Sequence, residues 1–149
     1  MTPDANTRGI RGRLPQGADA GRFGSMQFTQ ITDAEQNMIT GYAPDHVAVN
    51  GVRYAHSLIL RPDRLLPSWP VTDVGALSLD TLAWVHANPP EILLLGTGQR
   101  QTFPERALWR ELRAQPWGLE IMDTAAACRT YNLIMAEGRM VAAALIVDG

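Results

Sequence analysis

EILLLGTGQRQTFPERALWRELRAQ, residues Glu91–Gln115, joins a continuous apolar run, two glycines one residue apart, and an amphipathic stretch. The run Ile92–Leu95 predicts a strand buried on both faces. Thr102 and Glu105 match a capping box, and Leu108 and Leu112 share a helical face. That spacing predicts a helix starting near Thr102. Between strand and helix, Gly96-Thr97-Gly98-Gln99 is either a phosphate-cradling loop or a tight turn closing a core strand.

Working outward, GLEIM (Gly118–Met122) reads as a second strand. DTAAACRTYNLIMAEG reads as a helix with Asp123 as N-cap and Gly138 as its stop. MVAAALIV (Met140–Val147) closes with a third strand. Strand–helix–strand–helix–strand predicts parallel pairing with helices packed on the sheet. Upstream, SLDTLAWVHAN reads as a helix capped by Ser78 and stopped by Pro89-Pro90. The first half has short alternating runs, from MQFTQI at Met26 onward, broken at Gly41–Pro44 and at Asn50-Gly51. An Asn-Gly pair between such runs signals a hairpin, because both turn positions need positive φ. Val47 and Val49 are expected on one face. Tyr54, His56, Leu58 and Leu60 are expected to alternate with Ala55, Ser57 and Ile59 along a strand. The fold class is therefore α/β: N-terminal antiparallel strands joined to a Rossmann-like half, with a mixed sheet packed by helices. Residues 1–25, with five glycines, two prolines and four arginines, read as a disordered arm, and 26–149 as a single compact domain.

The glycine loop departs from the dinucleotide fingerprint G-x-G-x-x-G, since Gln101 holds the third glycine position. The fingerprint also wants the helix to open at the loop, whereas the capping signals place its start later. Asp123 lies 25 positions beyond Gly98, about where a ribose-binding acid sits in such folds (~20 residues on). A helix N-cap explains the same carboxylate without a ligand. A weaker ligand reading survives. Gly96, Thr97, Gly98 and Gln99 end a central strand, Arg100 adds charge, and Thr124 with Ala125–Ala127 allows close backbone approach nearby. Packing of loop against helix is the preferred reading.

Composition removes other chemistry. The 149 residues contain no lysine; all 13 basic residues are arginine. That excludes a Walker-type lysine, a lysine Schiff base and a kinase-type strand lysine. The net charge of −2 supplies no global field for nucleic acid. The single cysteine, Cys128, excludes an intramolecular disulfide. The first residues lack the apolar core of a secretory signal, and Met140–Val147 is too short to span a bilayer. A cytoplasmic protein is expected. His46, His56 and His86 have no ligand spacing, so neither a metal nor a cofactor is expected. His56 reads as a half-buried, hydrogen-bonded residue. Cys128, near a helix N-terminus and Arg129, is either a reactive thiol or a buried packing residue, the second being preferred. Tyr131, Ala127 and Met135 share a face that reads as core. Arg61–Ala76 is a long proline-containing connection. Its Trp69 either anchors a partner or folds back over the sheet.

EILLLGTGQRQTFP, LEIMDTAAACRTYNLIMAEGRMVAAALI and the Trp69 loop together resemble the family of small proteins that includes mitochondrial NADH:ubiquinone oxidoreductase complex assembly factor 3. Many bacterial members of that family are uncharacterised. The likeness runs from about Met26 to the end. It implies one compact α/β domain and, from the mitochondrial members, a role in assembling respiratory complex I through protein contacts. It carries no catalytic residue set. The expected function is a non-enzymatic interaction protein, an assembly factor for a respiratory (complex I-like) or other multisubunit complex. Its surface would comprise Gly96, Thr97, Gly98, Gln99, Arg100, Asp123, Thr124, Arg129 and Trp69, with Phe103 at the loop's end. The alternative is a binding domain or enzyme for an anionic or nucleotide-like ligand at Gly96–Gln99.

Overall fold

In the computed structural model, residues 36–148 are described. The expected arm at 1–25 and the expected strand at Met26–Ile31 lie outside them. Among the described residues there are eight strands and three α-helices. The strands are β1 (Ile39–Ala43), β2 (His46–Val49), β3 (Val52–Tyr54), β4 (Leu58–Arg61), β5 (Arg64–Leu66), β6 (Ile92–Gly96), β7 (Gly118–Met122) and β8 (Val141–Leu145). The helices are α1 (Ala83–Ala87), α2 (Arg106–Arg113) and α3 (Thr124–Ala136). They belong to one compact unit, Asn37–Gly149.

Strands β1-β2-β3 form an antiparallel sheet. The other five run β5-β4-β8-β6-β7. In that sheet β8, β6 and β7 are parallel, with α2 and α3 in the connections, while β4 joins β8 antiparallel. The fold is thus the mixed α/β domain expected, an antiparallel sheet beside a mixed sheet packed by helices. Asn50 (φ 50°) and Gly51 (φ 84°) make the predicted two-residue turn between β2 and β3.

The large sheet is buried on both faces, and its residues alternate between two cores. Leu58, Leu60, Leu94, Ala143 and Leu145 pack with Ala127, Cys128, Tyr131 and Met135 of α3 and with Ile39, Val47 and Val49 of the small sheet. Ile59, Leu93, Leu95, Ala142 and Ala144 pack on the opposite face with Trp69, Val71, Leu82, Leu112 and Trp117. The predicted sharing of a face by Val47 and Val49, and by Ala127, Tyr131 and Met135, is observed.

Helix α3 starts and stops on local signals. The Asp123 Oδ1 accepts the Ala126 N–H at 2.8 Å. At the other end Gly138 (φ 82°) donates to Met135 O at 2.9 Å, and Arg139 donates to Ile134 O at 3.4 Å, the paired bonds of a Schellman stop. Two side chains then tie α3 to β1 and to the residues just before it. Asn132 accepts the Ile39 N–H at 3.0 Å and donates to the Ile39 carbonyl at 2.7 Å. Its amide thereby pairs with the outer edge of β1 as a neighbouring strand would, and this blunts an edge that would otherwise template association. Tyr131 Oη donates to Asn37 O at 2.7 Å.

Three local expectations are corrected. The run Tyr54–Leu60 is not one alternating strand; it breaks at 55–57, where the chain leaves the small sheet for the large one. Buried Ser57 sits at the break, its Oγ accepting the Val147 N–H at 2.9 Å and its carbonyl accepting the Trp69 N–H at 2.8 Å. Helix α2 starts at Arg106, not near Thr102, and Glu105 makes no side-chain cap bond. Pro104 disfavours helical backbone at Phe103, and the Thr102 N–H is taken by Thr97 Oγ1 at 3.0 Å. The helix expected from Ser78 is a 3-10 turn, Asp80–Leu82, running into α1. Ser78 Oγ does accept the Thr81 N–H, at 3.2 Å.

Candidate functional site

The carboxyl ends of β6 and β8 meet the N-terminus of α3 beside the β1–β2 turn, and a pocket of about 320 Å³ opens there. That is the lower end of the range for small-ligand sites, about 300–1,000 Å³. One wall is Tyr42–Pro44. The floor is Gly98 and Gln99 with Asp123–Ala125, and the far side is Ile146 and Val147.

Local chemistry builds the floor tightly. Gly96 ends β6 where a Cβ would lie 3.0 Å from the Thr124 Cα and Oγ1, so only glycine lets strand and helix approach this closely. Gly98 has φ +97°, a conformation that glycine adopts at no steric cost. Its N–H donates to Thr124 Oγ1 at 2.8 Å, and its carbonyl accepts the Thr124 N–H at 2.8 Å. Thr124 Oγ1 in turn donates to Ile146 O at 2.7 Å. One hydroxyl therefore links the loop, α3 and the end of β8. Thr97 anchors the loop from below. Its N–H donates to Met122 O at 2.9 Å, while its Oγ1 accepts the Thr102 N–H and donates to Arg100 O.

Three backbone donors near the pocket are committed inside the protein. The Gly98 and Thr124 N–H groups bind each other's residue, and the Ala126 N–H binds Asp123. A further carboxylate stands by: Asp148 Oδ1 lies 3.3 Å from where a Gly98 Cβ would be. Both glycines have structural reasons, and Asp123 is an N-cap.

The structure brings Gly98, Gln99, Asp123 and Thr124 together on one pocket, with Gly96 and Thr97 buried beneath it. Arg100 is exposed on the loop. Arg129 is exposed one turn into α3, and its Nη1 bonds Tyr42 Oη at 3.0 Å, which holds the rim. Trp69 is not part of this site. It is 3% exposed in the opposite core, and its Nε1 donates to Thr81 O at 2.7 Å. Phe103, 58% exposed, lies instead beside two shallower hollows along α2. Sequence reading missed the wall, Tyr42–Pro44, and the far side, Ile146 and Val147. The signal for the wall was the Pro44-Asp45 turn, read only as a break between strands.

The other reactive candidates are placed as follows. Cys128 is fully buried, and burial pushes its thiol up to about 12. The thiolate needed for nucleophilic chemistry is disfavoured there. Burial also pushes the Tyr131 phenol up. His56 is exposed rather than half-buried. His46 Nδ1 lies 2.9 Å from Asp45 Oδ1 and 3.0 Å from Arg53 Nη2. The hydrogen bond from His46 is the main cause holding the Asp45 carboxyl below its usual range. His86 sits between Leu82 O and Gln115 Oε1, at 3.1 Å from each. Among the described residues no three His, Cys, Asp or Glu side chains group as a metal site. No helix among them is long and apolar enough to cross a membrane.

Comparison with known proteins places this architecture. The family model described as a protein of unknown function (DUF498/DUF598) matches residues 39–146. A Xenopus tropicalis protein named NADH dehydrogenase [ubiquinone] 1 alpha subcomplex assembly factor 3 is 32% identical over 127 residues. The match covers 80% of this chain and 69% of that protein. The crystal structure of a Bordetella parapertussis protein is 40% identical, with a TM-score of 0.69, covering 76% of this chain and 97% of the other. The NMR structure of a Xanthomonas campestris protein is 39% identical, with a TM-score of 0.71, covering 83% and 94%.

Proposed function

The chain belongs to the DUF498/DUF598 family, and from that premise we propose that it is a non-enzymatic interaction protein that assists assembly of a multisubunit complex. A respiratory complex of the NADH dehydrogenase type is the first candidate. The observation that carries the proposal is the likeness to a protein named as an assembly factor, which extends over 80% of this chain. The site geometry agrees with that reading. The Gly98 and Thr124 N–H groups bond within the protein, the chain's single thiol is buried in the core away from the pocket, and apolar walls open beside an exposed tyrosine. The surface assigned to the partner is the pocket rim: Tyr42, Pro44, Gln99 and the first turn of α3.

The test combines capture with an assembly readout. Tagged protein is recovered from its own cells after gentle detergent lysis, and the assembled NADH dehydrogenase complex is measured on native gels with and without the gene. Subunits of that complex are expected to co-purify, to drop out with Tyr42→Asp, and to assemble less completely in the deletion. The proposal falls if assembly is unchanged and no subunits of any one complex are captured. It also falls if the purified protein turns over a metabolite.

A further inference from the structure

We propose that the pocket between the β1–β2 turn and the start of α3 receives one apolar side chain of a partner polypeptide, followed in that partner by arginine or lysine. This deepens the interaction reading above and rests on it.

Shape and charge select the occupant. The walls are apolar: the Tyr42 ring, Ala43, Pro44, Ala125, Ile146 and Val147. A volume of about 320 Å³ suits one large side chain with part of its backbone. Several polar groups at the floor are already engaged. The Gly98 N–H is held by Thr124, and Asp123 caps α3 with one oxygen. The Asp148 carboxylate lies against Gly98. Arg129, exposed near the rim, is held by Tyr42 Oη. An entering anion would face the Asp123 carboxylate on the lining and the Asp148 carboxylate beside Gly98, with the Gly98 and Thr124 N–H groups already engaged. A cation following an apolar anchor meets Asp123 on the lining and the Asp148 carboxylate beside Gly98. Charges across an interface set the choice and register of a partner more than the bulk affinity, so the preference between cationic and anionic partners is the signature to measure.

The experiment follows backbone amide shifts of isotope-labelled full chain during addition of acetyl-leucyl-arginine amide, acetyl-leucyl-glutamate amide or inorganic phosphate. The arginine probe is expected to move the Gly98, Gln99, Ala125 and Val147 amides. The glutamate probe is expected to need about two- to fivefold more for the same shift, the factor an exposed charge pair supplies. Phosphate is expected to leave these amides in place, and Asp148→Asn to narrow the gap between the peptides. Equal or stronger response to the glutamate probe or to phosphate overturns the proposal, as does silence of these amides with the arginine probe. Ala125→Phe fills the pocket from the helix side and Ala43→Phe from the turn, so one blocked variant remains if the other fails to fold. If a blocked, folded variant captures the complex as well as wild type, the pocket inference falls and the assembly reading stands. If the arginine probe binds and no complex is captured, the assembly reading falls instead.

Discussion

Two irregular segments invite a functional reading, and they fold in opposite senses. The connection after β5 carries Trp69 inward. The indole ring is buried, its N–H satisfied by Thr81 O, and its backbone N–H by Ser57 O. The loop after β6 buries Gly96 and Gly98 by backbone bonds, turns Gln99 and Arg100 outward, and lines the pocket with Gly98 and Gln99. The difference lies in what each segment offers the core. A tryptophan has a large apolar area to bury and one donor to satisfy, so it is drawn in when both needs are met. Glycines offer no side chain, so their loop is held by backbone bonds and stays where the strand ends.

The largest effect should come from the inward segment. Trp69→Ala removes a buried aromatic side chain and is expected to cost about 3–5 kcal/mol, read as a lower denaturant midpoint with unchanged slope. Trp69→Phe keeps most of the packing and loses the bond to Thr81, about 0.5–1.5 kcal/mol plus the lost area. If Trp69→Ala melted like wild type yet lost its partner, the tryptophan would belong to the surface and the contrast would collapse.

Next is the hydroxyl that holds the outward loop. Thr124→Val keeps the shape but leaves the Gly98 N–H and the Ile146 carbonyl without their partner. The expected cost is about 1–3 kcal/mol for each group left buried and unpaired. Thr124→Ser should restore most of it. Gly98→Ala is smaller, about 1–2 kcal/mol, because it forces a side chain into left-handed backbone beside Asp148. Both are checked by chemical denaturation. An unchanged midpoint in Thr124→Val would mean that the loop is not held as the geometry describes.

Much of this architecture was legible because its signals are local. The spacing of Ala127, Tyr131 and Met135, the cap at Asp123, the stop at Gly138 and the turn at Asn50-Gly51 each act within a few residues. The misread places depend on distant partners. Thr102 has the sequence of a cap, but Thr97 claims its N–H first. Tyr54–Leu60 alternates as a strand would, but Ser57 is needed to bond Val147 and Trp69, 90 and 12 positions away. The site divides the same way. Gly98, Gln99, Asp123 and Thr124 sit on adjoining strand ends, which the strand–helix pattern brings together. Tyr42–Pro44 and Val147 come from elsewhere in the chain, and no periodicity links them. Asn132 reaching the edge of β1 is likewise invisible, since a polar residue on a helix reads as solvated.

The smallest effect is the most discriminating for the loop. Asp123 has two possible duties, capping α3 and presenting charge to the pocket, and two substitutions separate them. Asp123→Ala removes the acceptor for the Ala126 N–H and should cost about 1 kcal/mol. Asp123→Asn retains an acceptor of comparable capping strength and should cost only a few tenths. If capping were its whole role, Asn would match wild type in both melting and response to the cationic probe. The pocket inference requires the two readouts to part: stability nearly unchanged, response to the arginine peptide weakened. A variant whose melting and binding moved together would return Asp123 to the helix alone and leave the preference for cations to Asp148.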